Sequence, residues 1–286
     1  MRRGIAVGVL TGALAVAAGC SGSSGSSATT AADGSATTVA AIRSSGTTQP
    51  TRPLRILVTN DDGVGAAGID AVTNGLTSLP GTEVVVVAPA TNQSGTGGKT
   101  TAGEVTVRDA TTASGVTAKA VEGYPADTIT VAIDRNGIPW KPDLVVSGIN
   151  AGQNLGPFVE VSGTVGAARA AVARGVPALA ASQGLASQPD FPWAVTLVNQ
   201  WVEQHRAALL AGTAPAQVDN LNVPTCLTGT KQELVSVPVA SDITGIDLTK
   251  TDCPGTGPVA NDAQAFAAGH PTLSQLGAAP TSTTAP

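Results

Sequence analysis

The chain has 286 residues, 12% of them charged, three cysteines and a formal charge of −5. That length holds one domain of ordinary size with extensions, or two small ones. A negative balance without clustered Lys and Arg argues against a nucleic-acid polymer as partner, because such binding draws on counterion release by grouped basic side chains.

Met1-Arg2-Arg3 is a basic start, Ile5 to Ala18 is apolar, and Gly19-Cys20 follows. Residues 1–20 therefore read as an export signal. The apolar run is short for a bilayer span and lacks a second basic flank. Ala17-Ala18-Gly19-Cys20 resembles a bacterial lipoprotein processing box. It implies cleavage before Cys20, lipidation of Cys20 and a lipid anchor on the extracytoplasmic face of the cell membrane. Secretion with a free Cys20 is the alternative. Loss of Arg2 and Arg3 with the signal takes the charge from −5 to −7, so an anionic substrate would call for a metal to receive it. Residues 21–53 are nearly all Ser, Thr, Gly and Ala, and such a stretch cannot offset its ordering entropy and reads as a flexible tether. The tail 277–286 has the same character. One domain, 54–276, lies between them, with no internal repeat.

Leu54 to Thr59 is a short β-rich run that ends in Asn60-Asp61-Asp62-Gly63, so a strand followed by a loop is predicted. Ile69, Val72, Leu76 and Leu79 recur at helical spacing, and Pro80-Gly81 stops that helix. Val84 to Ala88 is an unbroken β-branched strand of the kind buried on both faces of a parallel sheet. Thr100 to Val121 reads as a small β excursion. Asp143 to Ser147 is another buried strand. Gly163 to Arg174 is an Ala-rich helix that leads through Gly175 into the strand Val176–Ala180. Pro192 to Leu210 is a longer helix with Trp193, Leu197, Trp201 and Leu209 as core candidates. This alternation predicts an α/β domain with a mostly parallel sheet and helices on both faces, a Rossmann-like three-layer arrangement. Cys226 and Cys253 are the cysteines of the exported part. In an oxidising compartment a disulfide is the first expectation, worth about 3 kcal/mol in the chain-entropy model; two separate thiols are the alternative.

In open α/β sheets the site lies beyond the carboxyl ends of the strands. Three loops there are unusual: Asn60 to Gly63, the Gly-rich stretch Thr91 to Gly98, and Ser147 to Gly156 continuing to Ser162-Gly163-Thr164. Two adjacent carboxylates are costly unless a positive charge lies between them or one takes a proton. A divalent cation would satisfy both. The other candidate ligands, Ser94, Asn150 and Asn154, offer oxygen, and His205 and His270 lie elsewhere, so the donor set suits Mg²⁺ or Mn²⁺, with Ca²⁺ also fitting, and not zinc. Taken alone, Asn-Asp-Asp-Gly reads first as a plain turn and only second as a metal site. Ser162-Gly163-Thr164 opens a helix, where hydroxyls and free N–H groups bind phosphate; a simple N-cap is the compatible alternative.

Four blocks in register carry a resemblance. They are Arg55 to Val64, Ala88-Pro89 with Asn92 to Gly95, Val145 to Gly152 with Asn154-Leu155-Gly156, and Ser162 to Val165. They resemble the SurE-type survival proteins, a family of 5′/3′-nucleotidases and phosphatases, and weaker echoes run through Gly123 to Asp127, Asn220 to Pro224 and Asn261 to Leu273. The resemblance implies hydrolysis of phosphate monoesters, nucleoside 5′-monophosphates first and 3′-monophosphates beside them, to nucleoside and phosphate with one divalent metal ion. Position by position it makes Asp61, Asp62, Ser94 and Asn150 the metal ligands. It places Asn60, Gly95, Asn154, Ser162, Gly163 and Thr164 around the phosphate, with Asp61 orienting or deprotonating the attacking water. The chain departs from the family pattern at Gly65, at Gln93, at Pro157-Phe158, and in the short stretch between Asn222 and Asp262, where relatives carry the extended arm through which they form homodimers. The shortened C-terminal arm leaves a homodimer open. A non-catalytic nucleotide- or phosphate-binding lipoprotein is the alternative that loss of the loop arginine at Gln93 suggests.

Overall fold

A mixed sheet with strand order β3-β4-β2-β1-β5-β6-β7-β9-β8 organises the domain. The computed structural model describes residues 52–277; the signal segment with Cys20, the tether up to residue 51 and the tail from residue 278 lie outside them. The strands are β1 Leu54–Thr59, β2 Thr82–Pro89, β3 Val107–Thr111, β4 Thr117–Val121, β5 Leu144–Ala151, β6 Ala178–Gln183, β7 Val218–Val223, β8 Val235–Ser236 and β9 Thr272–Leu276. The helices are α1 Ala67–Thr77, α2 Pro125–Ile129, α3 Gly163–Val172, α4 Phe191–Ala211 and α5 Asp262–Ala267. Six neighbouring strands, β4-β2-β1-β5-β6-β7, run parallel, while β3 and β9 pair antiparallel with β4 and β7. The chain winds outward from β1 to β2 and β4, then returns to place β5 on the other side of β1. That reversal makes the gap between β1 and β5 the switch point of the sheet, where a crevice opens beyond the strand ends.

Side-chain alternation builds the three layers. Ile56 and Val58 of β1 and Leu144 and Val146 of β5 pack with Ile69, Val72 and Leu76 of α1 and Leu197 and Trp201 of α4. Leu57 and Val145, one residue out of phase, pack on the other face with Val165, Ala168 and Ala171 of α3 and Ile129 of α2. Each fully buried Leu or Ile contributes about 1.5–3 kcal/mol, so the two sandwiched clusters account for the rigidity of the central strands. Among the described residues no helix is long and apolar enough to cross a membrane.

Several boundaries differ from the sequence expectation. Leu79 lies beyond the end of α1, though it still packs against the core. The strand expected to stop at Ser147 continues to Ala151, because β6 keeps pairing with it through Asn150↔Ser182 and Ala151↔Gln183 after a register shift between Ser147 and Asn150. Gly148 permits this, since its φ is +137° and a Cβ there would sit 2.2 Å from the Ala181 carbonyl oxygen. Asn150 therefore stands on a strand and not in a loop. β6 begins at Ala178, two residues later than expected, because Pro177 has no N–H to donate to the ladder. The β excursion narrows to the hairpin β3–β4. Val84 and Val85 are only partly buried, near the open end of β2. Arg52, read as tether, forms an ion pair with Asp143 at 2.6 Å.

The stretch between Asn222 and Asp262 contributes only the two-residue strand β8. Cys226 and Cys253 are joined by a disulfide with a Cα–Cα distance of 5.4 Å. The segment they close folds back on its own domain, where Ala240 and Leu248 pack with Leu155, Ala263 and Phe266.

Candidate active site

Asp61 lies immediately beyond β1 and is 3% exposed. Its Oδ1 accepts the Thr164 hydroxyl at 2.6 Å. A Cβ on Gly163 would fall 2.7 Å from the Asp61 Cβ and 2.9 Å from Oδ2, so the start of α3 can approach the carboxylate only because residue 163 has no side chain. Burial pushes the Asp61 carboxyl up to about 6; the Thr164 hydrogen bond opposes the shift and the neighbouring charge of Asp62 adds to it. Asp62 is pushed up by burial as well, against hydrogen bonds from the Ala151 N–H and the Asn92 amide. These two bonds, 3.0 Å to Oδ2 and 3.2 Å to Oδ1, tie Asp62 to β5 on one side and to the Gly-rich loop on the other.

The Gly-rich loop is fixed at both ends. The Gln93 N–H donates to the Asp61 carbonyl at 2.7 Å, and the Gly97 N–H donates to the Val161 carbonyl at 3.0 Å. Gly166 of α3 packs so closely on the Gly97 carbonyl that a Cβ would come within 2.1 Å of it. Between the loops lies a cavity of about 260 Å³ lined by Asp61, Ser94, Gly95, Asn150, Asn154 and Ser162, together with Phe158, Val161 and Leu185. No Arg, Lys or His lines it.

Six of the residues singled out in the sequence thus converge on one cavity; Asp62 and Gly163 stand beside Asp61, and Asn60 and Thr164 act at one remove. Both polar ends of Asn60 are taken by Gly63, whose carbonyl accepts at 2.9 Å and whose N–H donates at 3.3 Å. Asn60 is fully buried and shapes the Asp61-Asp62 turn instead of reaching a phosphate. Thr164 is also fully buried, and its hydroxyl is committed to Asp61, so it orients the carboxylate and offers no hydroxyl to the cavity. Ser162 caps α3 by accepting the Val165 N–H at 3.1 Å, worth about 1 kcal/mol, which leaves its own proton free to donate into the cavity. Asn154 directs its amide nitrogen to Ser182 at 2.9 Å. The main chain of Asn154 is clamped by Asn222, which accepts its N–H at 2.7 Å, and by the amides of Asn220 and Asn222, which donate to its carbonyl at 2.9 and 3.1 Å.

Those supporting residues carried little sequence signal. Asn220 and Asn222 are spaced by two on β7 and so share a face, which is visible only once the strand is known. Asp262 is fully buried and accepts the N–H groups of Gly156 at 3.0 Å, Ala240 at 2.8 Å and Ala263 at 2.7 Å, thereby joining the end of the cavity loop to the disulfide-closed segment. Asn92 belongs to one of the four sequence blocks, yet its bond to Asp62 follows from nothing in its spacing.

The donor set fits a hard divalent cation. Two carboxylates are held above their ordinary range by burial with no basic group lining the cavity, and Asn150 turns its amide nitrogen to the Gly152 carbonyl at 2.6 Å, which leaves its side-chain oxygen as the free end. Among the described residues no group of three or more His, Cys, Asp and Glu forms a metal cluster, so amide and hydroxyl oxygens must complete any such site.

Fold and cavity together define a doubly wound α/β protein with an acidic, oxygen-lined crevice at the switch point of its sheet. Within that class the chain belongs to the SurE family: the family described as survival protein SurE matches residues 56–251. It is 42% identical over 151 residues to the 5′-nucleotidase SurE 1 of Burkholderia lata, an alignment covering 52% of this chain and 57% of the relative. It is 40% identical over 181 residues to the 5′-nucleotidase SurE of Methanopyrus kandleri, covering 60% of this chain and 66% of the relative. The chain therefore spans less than two thirds of the length of these relatives. The crystal structure of the SurE protein from Aquifex aeolicus superposes with a TM-score of 0.65 at 26% identity, covering 80% of this chain and 95% of that one.

Proposed function

We propose that the protein hydrolyses phosphate monoesters, chiefly nucleoside 5′-monophosphates and also 3′-monophosphates, using one divalent metal ion, Mg²⁺ or Mn²⁺. The observation that carries the reading is buried Asp61 beside half-buried Asp62, with Asp61 meeting the start of α3 in a cavity lined by no basic side chain. Relatives named 5′-nucleotidase support the choice of substrate.

Asp61, Asp62, Ser94 and Asn150 would hold the cation. When bound, it supplies charge neutralisation at the phosphoryl oxygens and a lowered pKa for water. The protein's own groups do the rest. Thr164 engages Asp61 Oδ1, so Oδ2 is the oxygen left to orient the attacking water or take its proton. Ser162 donates its hydroxyl to a phosphoryl oxygen, and the backbone N–H groups at Gly95 and Gly163 stabilise the equatorial oxygens as charge builds. Asn154, clamped by Asn220 and Asn222, fixes the far wall. The disulfide Cys226–Cys253 supports work in an oxidising compartment, in keeping with an exported protein anchored through Cys20. The short segment before Asp262 folds back on its own domain, so a homodimer would use another surface than an extended arm.

The test is phosphate release from AMP and from p-nitrophenyl phosphate with added Mn²⁺ or Mg²⁺, repeated in EDTA. Release that depends on the metal is expected. Full activity in EDTA would overturn the metal assignment, and tight AMP binding without release under any metal would favour the non-catalytic alternative.

A further inference from the structure

Three of the seven large apolar side chains exposed among the described residues line this one cavity: Phe158 at 48%, Val161 at 53% and Leu185 at 55% exposure. Single exposed apolar residues are ordinary, but three gathered on one cavity beside a buried carboxylate mark a binding surface.

Each is held in place by main-chain bonds. Phe158 rides on a tight turn, Gly156–Glu160, whose first N–H is fixed to the buried Asp262 at 3.0 Å. Val161 is tied to the Gly-rich loop through its carbonyl, which accepts the Gly97 N–H at 3.0 Å. The Leu185 N–H donates to the Gln153 side chain at 3.0 Å, and Gln153 in turn donates to the Leu248 carbonyl at 2.9 Å in the disulfide-closed segment. Loops anchored in this way present their apolar groups in a fixed arrangement, and the cost of ordering a ligand against them is correspondingly lower.

We infer that Phe158, Val161 and Leu185 form the subsite for the organic part of the ester, and that they select a flat aromatic group such as a nucleobase. The inference rests on the phosphatase reading above and adds to it the residues that meet the base. The cavity is polar where Asp61, Ser94, Asn150 and Ser162 stand and apolar at these three residues, so a monoester with a phosphate at one end and a planar ring at the other matches both parts. A chain of phosphates would find no basic side chain lining it. A small polyol phosphate would leave the apolar surface wet. An aromatic side chain stacks on any base, so Phe158 discriminates ring from no ring without choosing among bases.

The experiment compares AMP with ribose 5-phosphate as substrates of the full chain with Mn²⁺, in the wild type and in Phe158→Ala, Leu185→Ala and Phe158→Trp. The wild type is expected to favour AMP in kcat/KM by about tenfold or more, the scale of one base stacking on an aromatic ring. Phe158→Ala should remove most of that preference by raising KM for AMP far more than KM for ribose 5-phosphate; Leu185→Ala should do so in part, and Phe158→Trp should retain it. Equal kcat/KM for the two substrates in the wild type, or an equal loss for both in Phe158→Ala, overturns the inference. So does a wild-type dimer that Phe158→Ala dissociates in sedimentation, since a second copy would then be the occupant. If neither ester is hydrolysed, the phosphatase reading fails and calorimetric binding decides the subsite separately: a preference for AMP that Phe158→Ala abolishes supports it, and equal binding of the two overturns it.

Discussion

The two ends of the central strands treat acidic residues in opposite ways. At their amino ends Asp143 receives both guanidinium nitrogens of Arg52, at 2.6 and 2.8 Å, and the Arg55 N–H at 2.9 Å. Near that end Glu203 is likewise paired with Arg206, and the guanidinium holds its carboxyl below the ordinary range. At the carboxyl ends Asp61 and Asp62 meet only hydroxyl, amide and backbone donors, and burial holds both above the ordinary range. An acid that the fold neutralises for itself is structural. Asp262 is also buried without a counter-charge, but both its oxygens are spent on main-chain N–H groups; Asp61 differs in facing a cavity, and an acid so placed marks a candidate functional group.

The sharpest way to break that contrast is Asp61→Asn. It should lower kcat for AMP by about 10³-fold, within the range for loss of a general base, while leaving the thermal midpoint equal to or above that of the wild type, because a neutral amide avoids the burial penalty. Calorimetry beside steady-state kinetics checks both halves. A fall in stability would mean that Asp61 is structural after all.

A smaller effect should appear with pH. The folded-state value for Asp61, about 6, exceeds its ordinary value of 3.8, so its contribution to stability is full below the unfolded value and is lost as pH rises through the folded one. The metal-free wild type in EDTA should therefore gain stability relative to Asp61→Asn as pH falls from 7 towards 4, and Mn²⁺ at pH 7 should restore it by binding the folded state. Thermal melts of both proteins across that window test the sign. The least effect belongs to the other end of the sheet. Arg52→Ala removes a pair whose arginine side chain is 40% exposed; it should cost no more than about 1 kcal/mol in urea unfolding and leave AMP hydrolysis unchanged.

Legibility in the sequence followed the range of the interactions. β1, α1, α3 and α4 were readable because their apolar spacing is local, and Asp61-Asp62, Ser94, Asn150 and Ser162-Gly163-Thr164 stood out because each block is contiguous. Residues 218–277 were poorly readable. β7 is fully buried yet half polar, Val-Asp-Asn-Leu-Asn-Val, with Asp219 satisfied by Trp201 at 2.9 Å and Asn222 by Asn154. A strand whose polar side chains are paid for by distant partners shows no periodic apolar pattern to find.

What the sequence determined by itself was the alternation of strand and helix, the oxygen-only chemistry of the loops and the order of their motifs, all of which depend on residue type and short spacing. Tertiary structure alone decided the division of labour among those residues. Asn60 and Thr164 turned inward because their polar groups found partners within reach in the fold. Asp262 and Gln153 became braces because the disulfide-closed segment packs beside the cavity loop. Phe158 and Val161 on one chain segment and Leu185 on another, with no motif in common, came together because the two segments end at the same crevice, and only the winding of the sheet brings those ends to one place.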